Sequence, residues 1–398
     1  MVMRRAVVID VVRSPFGRGR AGGALDGIHP VTLYAAVLRA LIERTQIDPA
    51  LIEDVITGCV LQVAEQSGNV ARQAALAAGL PESVPGVTLD RKCGSAQQAI
   101  DFAAQGVIAG AYDVVIAGGV EMMSLVPMRS NRMGKDSEGP AFRARYPHGL
   151  VHQGISAELI AAKWDLSREA LDAFALRSHQ HAAAAEDAGI TTANLVPISV
   201  PTAQGERSAR RDEGLRRNTT LKQLAALKPA FEDAAIAAAY PDIRWRITAG
   251  NSSQVTDGAA AVLLAEEDTA QRLGLTPRAA VTHFALAAED PIMMLTAIIP
   301  ATRKLLIRAG LALAQIDAWE VNEAFASVVL AWQKELGVDP ERVNRFGGAI
   351  ALGHPVGASG GRLFGNLLAA LAQTQGRYGV QTMCESGGMA NATLIERL

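Results

Sequence analysis

The chain has 398 residues, a formal net charge of −2, 20% charged residues and 5% aromatic residues. This length predicts two or three domains with a large buried core. The near-neutral charge excludes a general attraction to nucleic acid or anionic membranes, so an anionic ligand would need a local basic patch.

Cysteine content and hydropathy predict the compartment. Cys59, Cys93 and Cys384 form neither a CxxC pair nor a metal-ligand spacing, which is typical of a reducing environment. No signal-peptide region precedes the first predicted strand, and no apolar run reaches the ~18 residues of a membrane span. We therefore expect a cytoplasmic protein with no metal, nucleic-acid or membrane partner.

Strands and helices alternate through the first 120 residues. The hydrophobic pattern predicts strands at 6–10, 52–59, 87–89 and 114–119, and helices at 31–44, 71–78 and 96–107. Segment 87–89 is interpreted as the end of a short buried strand. This alternation predicts a layered α/β fold with a mostly parallel or mixed sheet.

An insertion interrupts this pattern after about Ser124. Basic residues are scattered among Gly, Pro and Ser, helices are predicted at 155–163 and 168–188, and a polar segment follows that contains Arg207, Arg210, Arg211, Arg216 and Arg217. A solvated charged face is as good an interpretation of this segment as an anion-binding patch.

The last 120 residues repeat the first half. Strand 280–282 leads to a helix at 301–313, Gln46-Ile47-Asp48 recurs as Gln315-Ile316-Asp317, and the segment 110–114 recurs as 376–380 at a nearly equal offset. Two matches in the same order favour a duplicated pair of α/β halves. In this register Cys93 falls opposite Gly357-Ala358-Ser359-Gly360, so we expect a site where the halves meet.

Cys93 lies where a predicted strand gives way to a helix. Unpaired amides at a helix start favour negative charge by about 0.3–1 kcal/mol, so a thiol there is predicted to ionise below its usual pKa of about 8.5. The alternative is a small buried hydrophobic residue, which is the commoner role of a cysteine without context.

Three motifs of the second half supply partners for such a nucleophile. Segment 347–361 is rich in glycine, matches neither a P-loop nor a GxGxxG turn, and holds His354 as a candidate base. Asn322 and Glu323 follow a strand. Cys384 ends another strand, before a glycine turn.

Taken together, these motifs resemble those of the thiolase family over nearly the whole chain. They are Cys93-Gly94-Ser95, Asn322-Glu323-Ala324-Phe325, Gly353-His354-Pro355 through Gly360, and Cys384 through Met389. The resemblance implies two duplicated halves in a five-layered α-β-α-β-α core with an inserted loop domain. The implied divisions are 1–122, completed by 247–273, the CoA-binding insertion 123–246, and 274–398.

The implied reaction is cleavage of a 3-oxoacyl-CoA by CoA through an acyl-cysteine intermediate. By resemblance, Cys93 is the nucleophile, His354 its base, and Cys384 the acid or base at the α-carbon. Oxyanions are stabilised by His354 with a water held by Asn322, and by the backbone amides of Cys93 and Ser386. CoA is the substrate, no tightly bound cofactor is implied, and the residues implied to bind it are His152, Arg216, Phe231, Ala249, Ser253, Ala324 and Phe325.

Some positions depart from the pattern of the short-chain members of the family. Gln153 replaces a methionine, 295–300 reads Leu-Thr-Ala-Ile-Ile-Pro, and Ser386 replaces a glycine. Because these changes surround the acyl end, we expect a degradative enzyme for bulky or longer acyl chains. The insertion looks short of the tetramer-forming loop, which favours a homodimer.

Three alternative functions are considered, and each predicts a different feature. An acetoacetyl-CoA thiolase acting in condensation would prefer the four-carbon substrate. A decarboxylating ketoacyl synthase would carry two histidines and no second cysteine, and a CoA-thioester or lipid-binding scaffold would have lost the catalytic set.

Overall fold

The computed structural model describes residues 4–202 and 205–398. In the first half, strands alternate with helices that each end near a glycine or a polar cap. The elements are β1 (Ala6–Arg13), β2 (Gly17–Arg18), α1 (Pro30–Thr45), β3 (Val55–Gly58), α2 (Val70–Ala78), β4 (Gly86–Leu89), α3 (Ser95–Ala109) and β5 (Val114–Met122). Helix α3 ends at Gly110, whose left-handed backbone suits glycine.

A mainly helical segment follows β5. It comprises α4 (Gly139–Arg145), α5 (Gln153–Lys163), α6 (Arg168–Asp187), the hairpin β6 (Ile198–Thr202) and β7 (Gly205–Ala209), and the short helices α7 (Leu221–Ala225) and α8 (Ala234–Ala239). The side chains of His152 and Ser167 cap the first turns of α5 and α6.

The remaining elements return to the alternating pattern. They are β8 (Thr256–Glu266), α9 (Glu267–Arg272), β9 (Ala279–Ala288), α10 (Ile298–Ala309), β10 (Ala318–Val321), α11 (Ala326–Leu336), α12 (Ala349–Leu352), α13 (Ser359–Thr374), β11 (Tyr378–Glu385) and β12 (Met389–Arg397). Within residues 4–202 and 205–398, no helix is long and apolar enough to cross a bilayer.

Sheet topology repeats between the two halves. The strands follow the order β4-β3-β5-β8-β1 and then β9-β12-β11-β10, and a short antiparallel ladder between β1 and β9 joins the two groups. In each group a parallel pair, β3–β5 or β10–β11, is followed by two antiparallel pairs. In the second group, a parallel bridge between Trp319 and Val343 occupies the position that the β3–β4 pair has in the first group. The pattern supports the predicted duplication.

Helices α3 and α13 form the central layer. Both pack against strands of the two groups as well as against each other. Helices α1 and α2 cover the outer face of the first group, and α10 and α11 cover that of the second, so apolar side chains form separate inner and outer clusters. The chain therefore has the five-layered α-β-α-β-α core that the resemblance implies, with the starts of α3 and α13 in the interior.

The close approach of the two central helices depends on Gly360. A Cβ at this position would lie 2.4 Å from the backbone nitrogen of Gln97, a distance that real Cβ atoms do not adopt. The predicted register, with the Cys93 junction opposite the segment 357–360, is therefore the register that the two helices adopt.

Two local predictions were wrong. Strand β4 is not buried: it forms the edge of the sheet, and Val87 is 44% exposed. The helix predicted over 301–313 ends at Ala309, since Gly310 adopts a left-handed conformation.

Candidate active site

A tight turn before α3 holds Cys93. The hydroxyl of Ser95 accepts a hydrogen bond from the Arg91 backbone N–H at 2.8 Å and donates one to the Lys92 carbonyl at 2.6 Å. Lys92 has a φ of 50°, a left-handed conformation that costs a residue with a side chain about 1–3 kcal/mol. The turn brings the Cys93 thiol into the interior, where this residue is 9% exposed.

His354 is oriented by the start of α13. Its Nδ1 lies 2.6 Å from the hydroxyl of Ser359, and this hydroxyl donates its hydrogen to the Pro355 carbonyl at 2.9 Å. Because the hydroxyl proton is already used, Nδ1–H of His354 must be the donor to Ser359. Nε2 then carries the lone pair, which faces the amide nitrogen of Asn322 at 3.4 Å.

Asn322 connects the histidine with the second thiol. It follows β10, where its backbone N–H donates to the Thr382 carbonyl of β11. Burial raises the pKa of the Cys384 thiol, the neighbouring Cys93 raises it further, and the Asn322 side chain acts in the opposite direction. Cys93, His354, Asn322 and Cys384 thus converge from four segments on one buried centre.

This centre is uncharged at neutral pH. Burial, followed by the charge of Glu385, raises the pKa of the Cys93 thiol to about 12. Burial and then Arg362 lower the pKa of His354 to about 3, and burial raises the pKa of Cys384 above its usual range. The prediction that the helix start lowers the pKa of Cys93 was therefore wrong, because desolvation outweighs the partial charge of one helix end.

Glu385 is a buried carboxyl group beside the nucleophile. Neither of its oxygens has a hydrogen-bond partner among the described residues, and a Cβ on Gly94 would lie 2.1 Å from Oε1. Burial raises its pKa to about 8, although Arg91 acts in the opposite direction. Glycine at position 94 therefore leaves room for a carboxyl group that is neutral at pH 7.

The turn after Cys384 accommodates Ser386 without backbone strain. The left-handed conformations of this turn fall on Gly387 and Gly388, with φ values of 90° and 82°, and Ser386 has no positive φ. The backbone N–H of Ser386 is thus compatible with the oxyanion role that the resemblance implies.

A cavity of about 690 Å³ contains four of the residues implied to bind CoA. Arg216, Phe231, Ala249 and Ser253 all line it. The Ser253 backbone N–H donates to the Ala324 carbonyl at 2.9 Å, which attaches the cavity wall to the segment that carries Asn322.

An aromatic contact joins this cavity to the buried centre that holds Cys93 and His354. The Phe231 ring lies between His152, at a centroid distance of 5.2 Å, and Phe325, at 6.1 Å. Its phenyl ring offers an apolar surface on the path from the cavity towards Asn322. All seven residues implied to bind CoA therefore lie along one route.

The other arginines of the polar segment have different neighbours. Arg207 donates to the carbonyls of Gly23 and Ala24, Arg211 and Arg217 pair with Glu186, and Arg210 contacts Ser208. Arg216 is the member of this set that lines the 690 Å³ cavity.

Three residues near the site, Gln254, Arg18 and Arg20, had no role predicted from the sequence. The Gln254 carbonyl accepts the His354 backbone N–H at 2.9 Å, while its side chain donates to carbonyls of α12 and of Gly214. Arg18 and Arg20 line the same cavity as Arg216. The basic, turn-rich character of segment 13–18 was the available signal, but spacing could not reveal which distant segment it meets.

Comparisons with known proteins cover the whole chain. A model of the thiolase N-terminal domain matches residues 6–268, and one of the thiolase C-terminal domain matches 275–397. A steroid 3-ketoacyl-CoA thiolase of Mycobacterium tuberculosis is 49% identical over 100% of this chain and 95% of its own length. A beta-ketoadipyl-CoA thiolase of Escherichia coli is 42% identical over the full length of both chains.

Two solved structures have the same fold, with similar sequence identities to this chain. The crystal structure of a Bacillus anthracis acetyl-CoA acetyltransferase superposes with a TM-score of 0.89 at 36% identity, covering 100% of this chain and 99% of its own. Human mitochondrial 3-ketoacyl-CoA thiolase has a TM-score of 0.88 at 35% identity, with full coverage of both.

Proposed function

The chain belongs to the thiolase family, and from this membership we propose that it cleaves 3-oxoacyl-CoA thioesters with CoA in a degradative direction. The products are acetyl-CoA and an acyl-CoA that is two carbons shorter. The observation that carries the proposal is the convergence of two buried thiols, Cys93 and Cys384, on the Asn322–His354 pair.

In the first step the Cys93 sulfur attacks the 3-keto carbon. A carbon–sulfur bond forms, the carbonyl electron pair moves to oxygen, and the thiol proton passes to Nε2 of His354, the nitrogen left unprotonated by the bond to Ser359. Because the centre is buried, the developing oxyanion needs donors that are already in place, which Asn322 and His354 supply with a bound water.

In the second step the bond between C2 and C3 breaks. Its electron pair stays with the acetyl-CoA fragment, which takes a proton from the Cys384 thiol, and the shortened acyl group remains on Cys93 as a thioester. The amides of Cys93 and Ser386 stabilise the enolate oxygen.

The last step returns the enzyme to its starting state. The thiol of a second CoA gives its proton to the Cys384 thiolate and attacks the acyl thioester. Cys93 leaves as a thiolate and recovers its proton from His354, so that every proton is accounted for.

The acyl group is the finer part of the proposal. The relative that acts on steroid 3-ketoacyl-CoA, together with the changes at Gln153, 295–300 and Ser386, supports a bulky acyl group. CoA-dependent cleavage should therefore be measured with 3-oxoacyl-CoAs of increasing length and with ring-bearing ones, identifying the products by mass spectrometry. Higher kcat/KM for bulky substrates is expected, and no CoA-dependent cleavage of any of them would overturn the proposed function.

A second candidate is acetyl-CoA condensation. It is favoured by the 40% identity to an acetyl-CoA acetyltransferase of Escherichia coli and by the similarity to the Bacillus anthracis structure. Strong preference for acetoacetyl-CoA over longer substrates would select this reaction.

The role of Cys384 can be tested separately by proton exchange. Wild-type protein should exchange the methyl protons of acetyl-CoA with solvent deuterium, and Cys384→Ser should lose this exchange while Cys93 still accepts an acetyl group. Exchange at the wild-type rate in the variant would assign the proton transfer to another residue.

A homodimer and a cytoplasmic location complete the proposal. Strand β4 forms the sheet edge, and Val87 on this strand and Phe102 on α3 are each 44% exposed, which suits a second copy. Light scattering should give the mass of two chains, and that of one or four would contradict it. Three cysteines without disulfides agree with a reducing compartment.

We keep the division into 1–122 with 247–273, an inserted CoA-binding segment 123–246, and 274–398 as the proposed domain organisation. CoA enters as substrate rather than as a resident cofactor.

A further inference from the structure

The outer end of the CoA cavity is formed by a loop from the beginning of the chain. Arg18 and Arg20 line the cavity together with Arg216, although the loop and Arg216 are far apart in sequence. The described lining contains three arginines and no aspartate or glutamate. Because the whole chain carries a net charge of −2, this is a local concentration of positive charge.

Hydrogen bonds to two acidic residues fix the loop beside Arg216. Asp212 accepts a bidentate pair from the buried Arg13 at 2.7 Å and also the backbone N–H of Phe16 at 2.8 Å. Glu213 accepts the backbone N–H groups of Arg18 and Ala24 at 2.8 and 2.7 Å.

Strand pairing adds a second attachment. β2 pairs with β8 through Gly17 and Arg18, and the Gly19 backbone N–H donates to the Val255 carbonyl at 3.0 Å. The positions of the two arginines are therefore set by backbone contacts, which leave their side chains to the cavity.

The guanidinium groups are available to a ligand. Within residues 4–202 and 205–398, the Arg20 and Arg216 side chains have no hydrogen bond or ion pair. Arg18 forms an ion pair with Glu213 at 3.9 Å, but this distance is beyond a hydrogen bond and both side chains are partly exposed, so an anionic ligand can replace the contact. Since the carboxylates of Asp212 and Glu213 already accept backbone N–H groups, the arginines are the groups left to recognise an anion.

The lining of the cavity changes from apolar at one end to positively charged at the other, which matches the two halves of CoA. Phe231 and Ala249 offer apolar surface at the end that contacts His152 and Phe325, whereas Arg20, at the other end, is exposed. A pantetheine arm suits the first end, and the nucleotide half of CoA, whose 3′-phosphate alone carries about −1.5 to −2 charge, suits the second.

We propose that Arg18 and Arg20, acting with Arg216, bind the phosphates of the nucleotide half of CoA and make the enzyme select full-length CoA over phosphate-free thiols. The proposal rests on the proposed function and goes beyond it, because it assigns the first loop of the chain to substrate selection.

The test compares three acceptor thiols, CoA, dephospho-CoA and pantetheine, in cleavage of one 3-oxoacyl substrate. For the double variant Arg18→Gln/Arg20→Gln we expect the KM for CoA to rise about 5- to 30-fold, with unchanged kcat and unchanged KM for pantetheine. A rise for CoA alone would assign the contacts to the 3′-phosphate, and a rise for CoA and dephospho-CoA would assign them to the diphosphate; both outcomes support the proposal.

Matched variants distinguish the loss of positive charge from a structural effect of the substitutions. Arg18→Lys/Arg20→Lys should restore most of the affinity, and Arg210→Gln, which removes an exposed arginine outside this cavity, should leave all three KM values unchanged. An unchanged KM for CoA in the double glutamine variant, or an equal rise for pantetheine, would overturn the proposal. Wild-type protein without any cleavage activity would instead refute the proposed function.

Discussion

At the proposed catalytic centre, Cys93, His354 and Cys384 are 9%, 5% and 1% exposed, and burial shifts the pKa of each towards its neutral form. At the outer end of the proposed CoA cavity, the arginines Arg18, Arg20 and Arg216 lie partly or fully exposed to solvent. The two regions differ because burial penalises charge before any bond is made, whereas recognition of phosphate depends on charge that is already present. The comparison suggests that charge in the centre develops only together with the reaction. Changes to the two regions should therefore affect different kinetic constants.

Removing the nucleophile should have the largest effect. Cys93→Ala is expected to lower kcat for thiolysis by about 10³- to 10⁶-fold, because no other buried thiol can form the acyl intermediate in its place. Binding of CoA, measured by calorimetry, should change little, since the arginines of the outer cavity remain. Thiolysis at the wild-type rate in this variant would rule out the mechanism.

Ser359 tests whether the orientation of His354 matters. Ser359→Ala removes the acceptor for Nδ1–H, so we expect kcat to fall about tenfold or more while KM for CoA stays the same. Ser327→Ala is the matched control, because this buried serine donates to the Ala157 carbonyl away from the centre. If both variants retained wild-type kcat, Ser359 would have no part in orienting the base.

A variant of Glu385 tests how much a buried charge lowers the stability of the protein. Its raised pKa of about 8 means that the folded protein keeps the proton while the unfolded chain loses it near pH 4.5, so stability from this group is lost as pH rises from about 4.5 to 8. Glu385→Gln cannot ionise, and its stability relative to wild type should increase by about 1–3 kcal/mol across this window. Urea unfolding at pH 5 and pH 8 measures the difference.

The same variant should change the reactivity of Cys93. Above pH 8 the ionised Glu385 raises the pKa of the Cys93 thiol, so alkylation of Cys93 by iodoacetamide should be faster in Glu385→Gln than in wild type. Equal stability and equal alkylation rates at both pH values would show that Glu385 carries no charge near the nucleophile.

Ionic strength should give the smallest effect. Raising salt screens the exposed arginines more than the buried centre, so KM for CoA should rise about two- to fivefold while kcat changes less than twofold. A larger change in kcat than in KM would contradict the separation of the two regions. Pantetheine serves as the control thiol, and its KM should be insensitive to salt.

The sequence was sufficient for the architecture because duplication leaves a repeated pattern. The recurrence of Gln46-Ile47-Asp48 and the order of the predicted elements indicated the duplication that the two strand orders show, and its register placed the starts of α3 and α13 opposite each other. Four ordered motifs then predicted the catalytic set. The edge position of β4 could not be predicted, since an apolar pattern of three residues does not distinguish an edge strand from a central one.

The electrostatics of the site could not be predicted from local sequence. A cysteine at a helix start suggests a lowered pKa, but the opposite shift arises from burial and from Glu385, which lies 292 positions later in the chain. In the same way, Arg18 and Arg20 lie beside Arg216 because their loop contacts Asp212 and Glu213 and because β2 pairs with β8. Such effects depend on long-range packing.

Mass spectrometry of the reaction intermediate tests the central claim most directly. Wild-type protein would be mixed with a 3-oxoacyl-CoA without free CoA, quenched in acid and digested. We expect a mass increase equal to the shortened acyl group on the peptide that contains Cys93, and its loss after CoA is added. An adduct on Cys384, an adduct that CoA does not remove, or release of acetyl-CoA without any adduct would contradict it.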